Sequence, residues 1–164
     1  MQLKQMLENL WNSSEFKTWK KNNSDFYLAH VFVMRDEANK GTYQIGYYNS
    51  KKDKMISFII SEKDIKQTPE QEVMKANQKI QELNPSEIKT SIEQALSTAK
   101  KCKEENYKNE IIVKSFFIIQ KINELTLFNI TYLTKTLKAI NIRVNSVNGK
   151  VVKHTSGVIA QFSQ

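Results

Sequence analysis

Two short runs constrain this chain more than anything else in it. Residues 26–34 read FYLAHVFVM and residues 111–119 read IIVKSFFII. Both are short, rich in β-branched and aromatic residues, and apolar at odd and even positions alike, so each is predicted to be a strand buried on two faces. A strand of that kind needs a helix on one side and a second cover on the other.

Alternating strands follow each run. Thr42 to Tyr48 places Tyr43, Ile45 and Tyr47 on one face, and Lys54 to Ile60 places Ile56, Phe58 and Ile60 inward, with turns at Glu37 to Gly41 and Asn49 to Asp53. In the second half, Leu125 to Thr134 carries Phe128, Ile130 and Tyr132 on one face, and Leu137 to Asn145 carries Ile140, Ile142 and Val144. Asn148-Gly149 is the strongest two-residue hairpin signal and predicts a type I′ turn before a last strand over Lys150 to His154.

Helices are read from spacings of three and four. Leu3, Met6, Leu7, Leu10, Trp11 and Trp19 predict one amphipathic helix over 2–21. Residues 61–68 read as a polar connector. Thr68-Pro69-Glu70-Gln71 spells a helix start running to about Leu83, and Asn84-Pro85-Ser86-Glu87 repeats the signal before a helix with Ile88, Ile92, Ala95, Leu96 and Ala99 as its buried stripe. The predicted class is α+β: two tandem helix-then-antiparallel-meander units, their sheets packed by helices. The units span 1–61 and 85–164, joined by a connector with a short helix over 62–84.

The second half, from about Pro85 to Val158, resembles the PepSY family of small helix-plus-sheet domains, whose fold is similar to cystatin-like architectures. The helix around Glu93, Ala95 and Leu96 carries the likeness, together with Ile142-Arg143-Val144-Asn145-Ser146-Val147-Asn148-Gly149-Lys150-Val151-Val152, which looks like the family's closing hairpin. Asn145 stands where the family usually has Asp. The first half looks like a diverged copy. The resemblance implies a module that binds or inhibits peptidases or mediates interactions.

The chemistry-bearing residues are few. Cys102 is the only cysteine and is read as a small buried hydrophobe, which excludes a disulfide framework and suits a reducing compartment. His30 falls in an apolar strand and His154 near a strand end, without metal-pair spacing, while Asp36 and Glu37 fall in a turn. No phosphate-binding loop or nucleophile elbow is present, so no catalytic residue, cofactor or metal is expected. The absence of a long apolar stretch predicts a cytoplasmic protein with no membrane partner.

The formal charge of +8 invites a nucleic-acid reading, yet only Arg35 and Arg143 are arginines and the lysines are dispersed. Lys100, Lys101 and Lys103 offset a helix C-terminus. Tyr48, Lys51, Lys52 and Lys54 form the candidate binding patch, and Asn148 with Gly149 the structural turn. The expected function is a non-catalytic binding or regulatory module that engages a protein or peptide and modulates peptidases, with room for homo-oligomers. The alternative is a weak, non-specific nucleic-acid binder using its dispersed lysines.

Overall fold

The computed structural model describes residues 2–73 and 79–159. It is α+β, with three α-helices packed on one face of a nine-stranded antiparallel sheet. The strands are β1 (Tyr27–Met34), β2 (Tyr43–Asn49), β3 (Lys54–Ile60), β4 (Ile65–Gln67), β5 (Gln71–Glu72), β6 (Ile112–Ile122), β7 (Leu125–Thr134), β8 (Lys138–Asn145) and β9 (Val151–Val158). Their order is β4-β3-β2-β1-β6-β7-β8-β9, with β5 also paired to β3. The two doubly apolar runs become the central pair β1 and β6, where Val31 faces Ile119 and Phe32 faces Ile118. None of the described helices is long and apolar enough to cross a membrane.

The core lies between the sheet and its helices. Val31, Ile45, Phe58, Ile119, Phe128 and Val144 share one row across the strands and are 0% exposed. The first helical segment forms two helices, α1 (Leu3–Asn12) and α2 (Ser14–Asn22), in place of the single helix expected. At about 100° per residue, an unbroken helix would aim Trp19 roughly half a turn away from Leu10. Ser13 breaks it: its backbone is extended, its hydroxyl donates to the Leu10 carbonyl at 2.6 Å and accepts from the Phe16 amide at 3.2 Å. Capping both ends in this way turns Phe16 and Trp19 into the same core as Met6, Leu7 and Leu10.

The helix α3 (Ile92–Asn106) starts later than expected. Ser91 is its N-cap, accepting from the Gln94 amide at 3.1 Å, while Asn84 caps only a single 3-10 turn over Pro85–Glu87. Small buried Ala95 and Ala99 let α3 lie close against β7, β8 and β9. The helix expected from Thr68 to Leu83 is not helical over 69–73 or 79–83, and 74–78 lie outside the described residues. Thr68 instead prolongs the sheet: its amide donates to the Ser57 carbonyl and its hydroxyl accepts from the Ser57 amide at 3.0 Å. A side chain spent on a neighbouring strand cannot cap a helix. Part of the expected connector likewise becomes β4, since Ile65 pairs with Ile60 and packs against the core.

Two further corrections concern strand geometry. Val113 is an extra residue between the pairs Ile112–Thr134 and Lys114–Leu133, which reverses the parity of the strand before it. Ile112 therefore packs on the core, whereas Ile111 and Val113, which strict alternation would place on the same face as Phe117, are 62% and 63% exposed. The β8–β9 connection is a four-residue loop rather than a two-residue type I′ turn, because Asn145 donates its amide to Lys150 and only Gly149, at φ 70°, is left-handed. Asn145 organises it, accepting on its side chain from the Val147 amide at 2.8 Å and on its carbonyl from the Gly149 amide at 2.9 Å.

Paired left-handed residues occur instead at Asn123 (φ 48°) and Glu124 (φ 65°), between the partners Ile122 and Leu125. Replacing Glu124 by Gly removes a steric penalty on a non-glycine residue and should stabilise by roughly 0.5 to 1 kcal/mol in urea titration. Gly149→Val should destabilise by roughly 1 to 3 kcal/mol, because the cost is conformational: a Cβ there meets only ordinary contacts with Thr90 and Gln94.

Candidate functional site

The helix side of the sheet carries a cleft built by residues 79–91, which cross from β1 to α3 as a strap interrupted by the 3-10 turn at Pro85–Glu87. Backbone and side-chain bonds hold the strap in place. The Leu83 amide donates to the Leu28 carbonyl at 2.8 Å, the Tyr27 hydroxyl donates to the Ile80 carbonyl at 2.6 Å, and the Lys89 and Thr90 amides both donate to Ser146. Glu87 fastens the middle by accepting from the Thr126 hydroxyl at 2.6 Å and from Lys121 Nζ at 3.4 Å. The Thr126 bond, with Lys121 assisting, holds its carboxyl below the usual range.

Between strap and helices lie two abutting cavities of about 950 and 780 Å³. Trp11, Asn84 and Pro85 line both, so the two form one groove. Trp11, 36% exposed, donates its indole N–H to the Tyr47 hydroxyl at 2.9 Å. Burial raises the Tyr47 pKa to about 12, against the opposing effect of the Trp11 bond. The floor is aromatic: Phe16, Phe26 and Tyr47 line it, Phe16 lies 5.2 Å from the Tyr47 ring, and Trp19 packs behind them 5.4 Å from the same ring. Trp19 Nε1 is buried without a partner among the described residues. Lys20 donates to the Phe26 carbonyl, and burial lowers its pKa. The groove's charges are mixed, with Lys20 and Lys121 beside Asp25, Glu82 and Glu87.

The expected patch of Tyr48, Lys51, Lys52 and Lys54 sits on the β2–β3 hairpin without forming one basic surface. Tyr48, paired with Met55, faces the side of the sheet away from the helices, whereas Lys54 shares the parity of Ile56 and Phe58. Tyr48 is buried, packs edge-on against Tyr27 and donates its hydroxyl to Asp53; that bond chiefly raises its pKa to about 12. Lys54 lies 3.1 Å from Glu72 and Lys51 3.8 Å from Asp25. The Lys51 and Lys52 amides both donate to the Asn49 side chain, which closes the turn.

The two histidines lie on opposite faces. His154, in register with core residue Ile142, has its Nδ1 2.8 Å from the Tyr107 hydroxyl. His30 lies across Gly46 of β2, where any Cβ would come within 2.3 Å of its ring, so the missing side chain of Gly46 is the space the imidazole fills. Burial lowers the His30 pKa to about 4 and raises that of the Cys102 thiol. Among the described residues no group of three or more His, Cys, Asp or Glu could hold a metal ion. Sequence reading missed the groove altogether. Trp11 was assigned to a buried stripe, and the strap has no periodicity to announce it.

No family model and no curated protein matches the chain. A crystal structure of a putative lipoprotein from Clostridium difficile 630 is similar, with a TM-score of 0.58 and 19% identity, covering 87% of this chain and 90% of that one. At that identity the likeness shows the fold alone.

Because the His30 pKa is depressed in the folded state, the unfolded chain binds the proton more readily. Stability from this site is complete above about pH 6.5 and is lost as pH falls toward 4. The expected loss is roughly 3 kcal/mol, read as a falling urea midpoint, and His30→Gln should flatten that dependence.

Proposed function

We propose that this protein is a non-catalytic binding module that takes an extended segment of a protein or peptide along the Trp11 groove. The continuity of the groove carries the reading: two cavities meet at Trp11, a length that suits several residues of extended chain better than one compact molecule. Aromatic floor and mixed rim charges supply apolar anchoring with a few polar contacts, the usual anatomy of a binding hot spot. Edge strand β9 offers a second, independent place for strand addition.

The same proposal treats the halves as tandem helix-then-meander units, the second PepSY-like, that merge into one sheet through β1 and β6. Each half then contributes to the groove, α1 and α2 from the first and the strap with the start of α3 from the second. Peptidase modulation would follow if the bound segment belongs to a peptidase or its substrate.

Selection from a displayed random-peptide library should enrich segments with apolar anchors. Trp11→Ala should weaken the selected peptides by about thirty-fold, the scale of a hot-spot aromatic, and leave the urea midpoint within about 1 kcal/mol of wild type. Enriched peptides that bind Trp11→Ala as tightly as wild type would refute the groove as the site.

A further inference from the structure

We propose that the opposite face of the sheet, on which none of the described helices packs, binds single-stranded nucleic acid. Charge is distributed across this fold in an unusual way. Of all the acids in the chain, the nine strands carry only Glu72, on the two-residue β5, and it is paired with Lys54 on the helix side. The strand cations on the helix side meet acids: Lys54 meets Glu72, Lys121 meets Glu87 and Lys138 meets Glu110. On the other face the charged strand residues are Lys66, Lys114, Arg143 and Lys153, all cations. Loop acids reach two of them, Asp64 at 3.3 Å from Lys66 and Asp36 at 4.0 Å from Lys114.

Arg143 and Lys153 stand directly opposite one another on β8 and β9, a like-charge cross-strand pair that destabilises a sheet unless an anion lies between. Arg143 Nε is buried and has no hydrogen-bond partner among the described residues. One row of register partners leads from this pair through Asn129 and Ile118 to Phe32 at the sheet centre and ends at Lys66 on β4. At about 4.8 Å per strand the row spans roughly 30 Å, room for several nucleotides.

The middle of the row has features a polyanion alone would not need. Phe32 and Phe116, half-buried on the two central strands, have ring centroids 5.6 Å apart with planes tilted by 39°. Beside them Asn141 donates to Asn129 at 2.6 Å and to Thr131 at 3.1 Å, leaving amide and hydroxyl groups on the surface next to the rings. Aromatic rings on a sheet face, amides at their side and cations at the ends are the chemistry that stacks unpaired bases, reads their edges and tracks their phosphates. Duplex DNA offers no base faces to stack, and this sheet face presents no helix or protruding ribbon among the described residues to enter a groove. A bilayer calls for protruding apolar side chains, whereas these rings sit within the pleat between amides.

The test is fluorescence polarisation of the full chain with labelled dT15 and rU15 between 50 and 200 mM salt. Binding should weaken with salt at a log–log slope of about −2, near −0.7 per phosphate contact for three contacts. Arg143→Gln with Lys153→Gln should shrink the slope by about 1.4. Phe116→Leu should lower affinity at least five-fold at unchanged slope, because stacking is lost while the apolar volume stays. Circular dichroism checks that the variants fold; if Phe116→Leu does not, the double variant alone decides. No binding at 50 mM salt, a slope indifferent to the double variant, preference for duplex, or equal binding of poly-glutamate or phosphatidylglycerol vesicles would each overturn the proposal.

Discussion

The antiparallel pairing of β1 with β6 holds the molecule together. It joins two meanders that would otherwise end in open edges. Its two apolar strands are fully buried on the helix side at Val31 and Ile119 and half-buried on the other at Phe32, Phe116 and Ile118, where the described residues supply no second cover of the kind their sequence predicts. Five residue pairs, from His30–Gln120 to Met34–Phe116, bring the cores of the two halves into a single cluster that runs from Met6 and Leu10 to Ile140 and Val144. Separated at this seam, each half would expose Val31 or Ile119, both 0% exposed in the whole. The groove depends on the same seam, because its floor residue Tyr47 lies in the first half and Lys121, which holds Glu87 of the strap, in the second.

Most of the sheet was legible because strands buried on one face betray themselves by alternation. Ile45, Phe58, Ile130 and Ile142 were assigned inward from the sequence and are fully buried. What escaped has a common cause: one residue's local bonding outweighed the pattern around it. Ser13 bonds Leu10 and Phe16 and splits a helix whose periodicity looked continuous. Thr68 bonds Ser57 across strands, although Thr68-Pro69 reads as a helix start. Val113 adds one residue to one strand, and the apolar identities of Ile111, Ile112 and Val113 cannot say which of them turns outward. The Asn148-Gly149 assignment failed in a related way, since Asn145 organises the β8–β9 loop, while Asn123-Glu124 turns the chain between β6 and β7 with left-handed geometry and no glycine.

The candidate sites were less legible than the fold because they are made by juxtaposition. Tyr48 and Lys54 are six residues apart and looked like one patch, yet strand alternation puts them on opposite faces. Trp11 and Asn84 lie far apart in sequence and share two cavities. Gly46 is informative only beside His30: in isolation it reads as a weak point in a strand, and in the sheet it is the recess that receives an imidazole.

Charge completes the contrast between the two faces. A net charge of +8 spread evenly would make every surface weakly basic, and that expectation ranked phosphate binding second, as weak and non-specific. The fold sorts the charge instead. Acids concentrate in the helices, turns and strap, where Glu87 and Glu110 meet Lys121 and Lys138 and leave the helix side mixed. The strands carry seven cations against one acid, and four of the seven lie on the face where none of the described helices packs, two of them paired with loop acids. A basic composition without arginine clusters is thus compatible with a locally concentrated positive field, because sheet register can align residues that the sequence scatters.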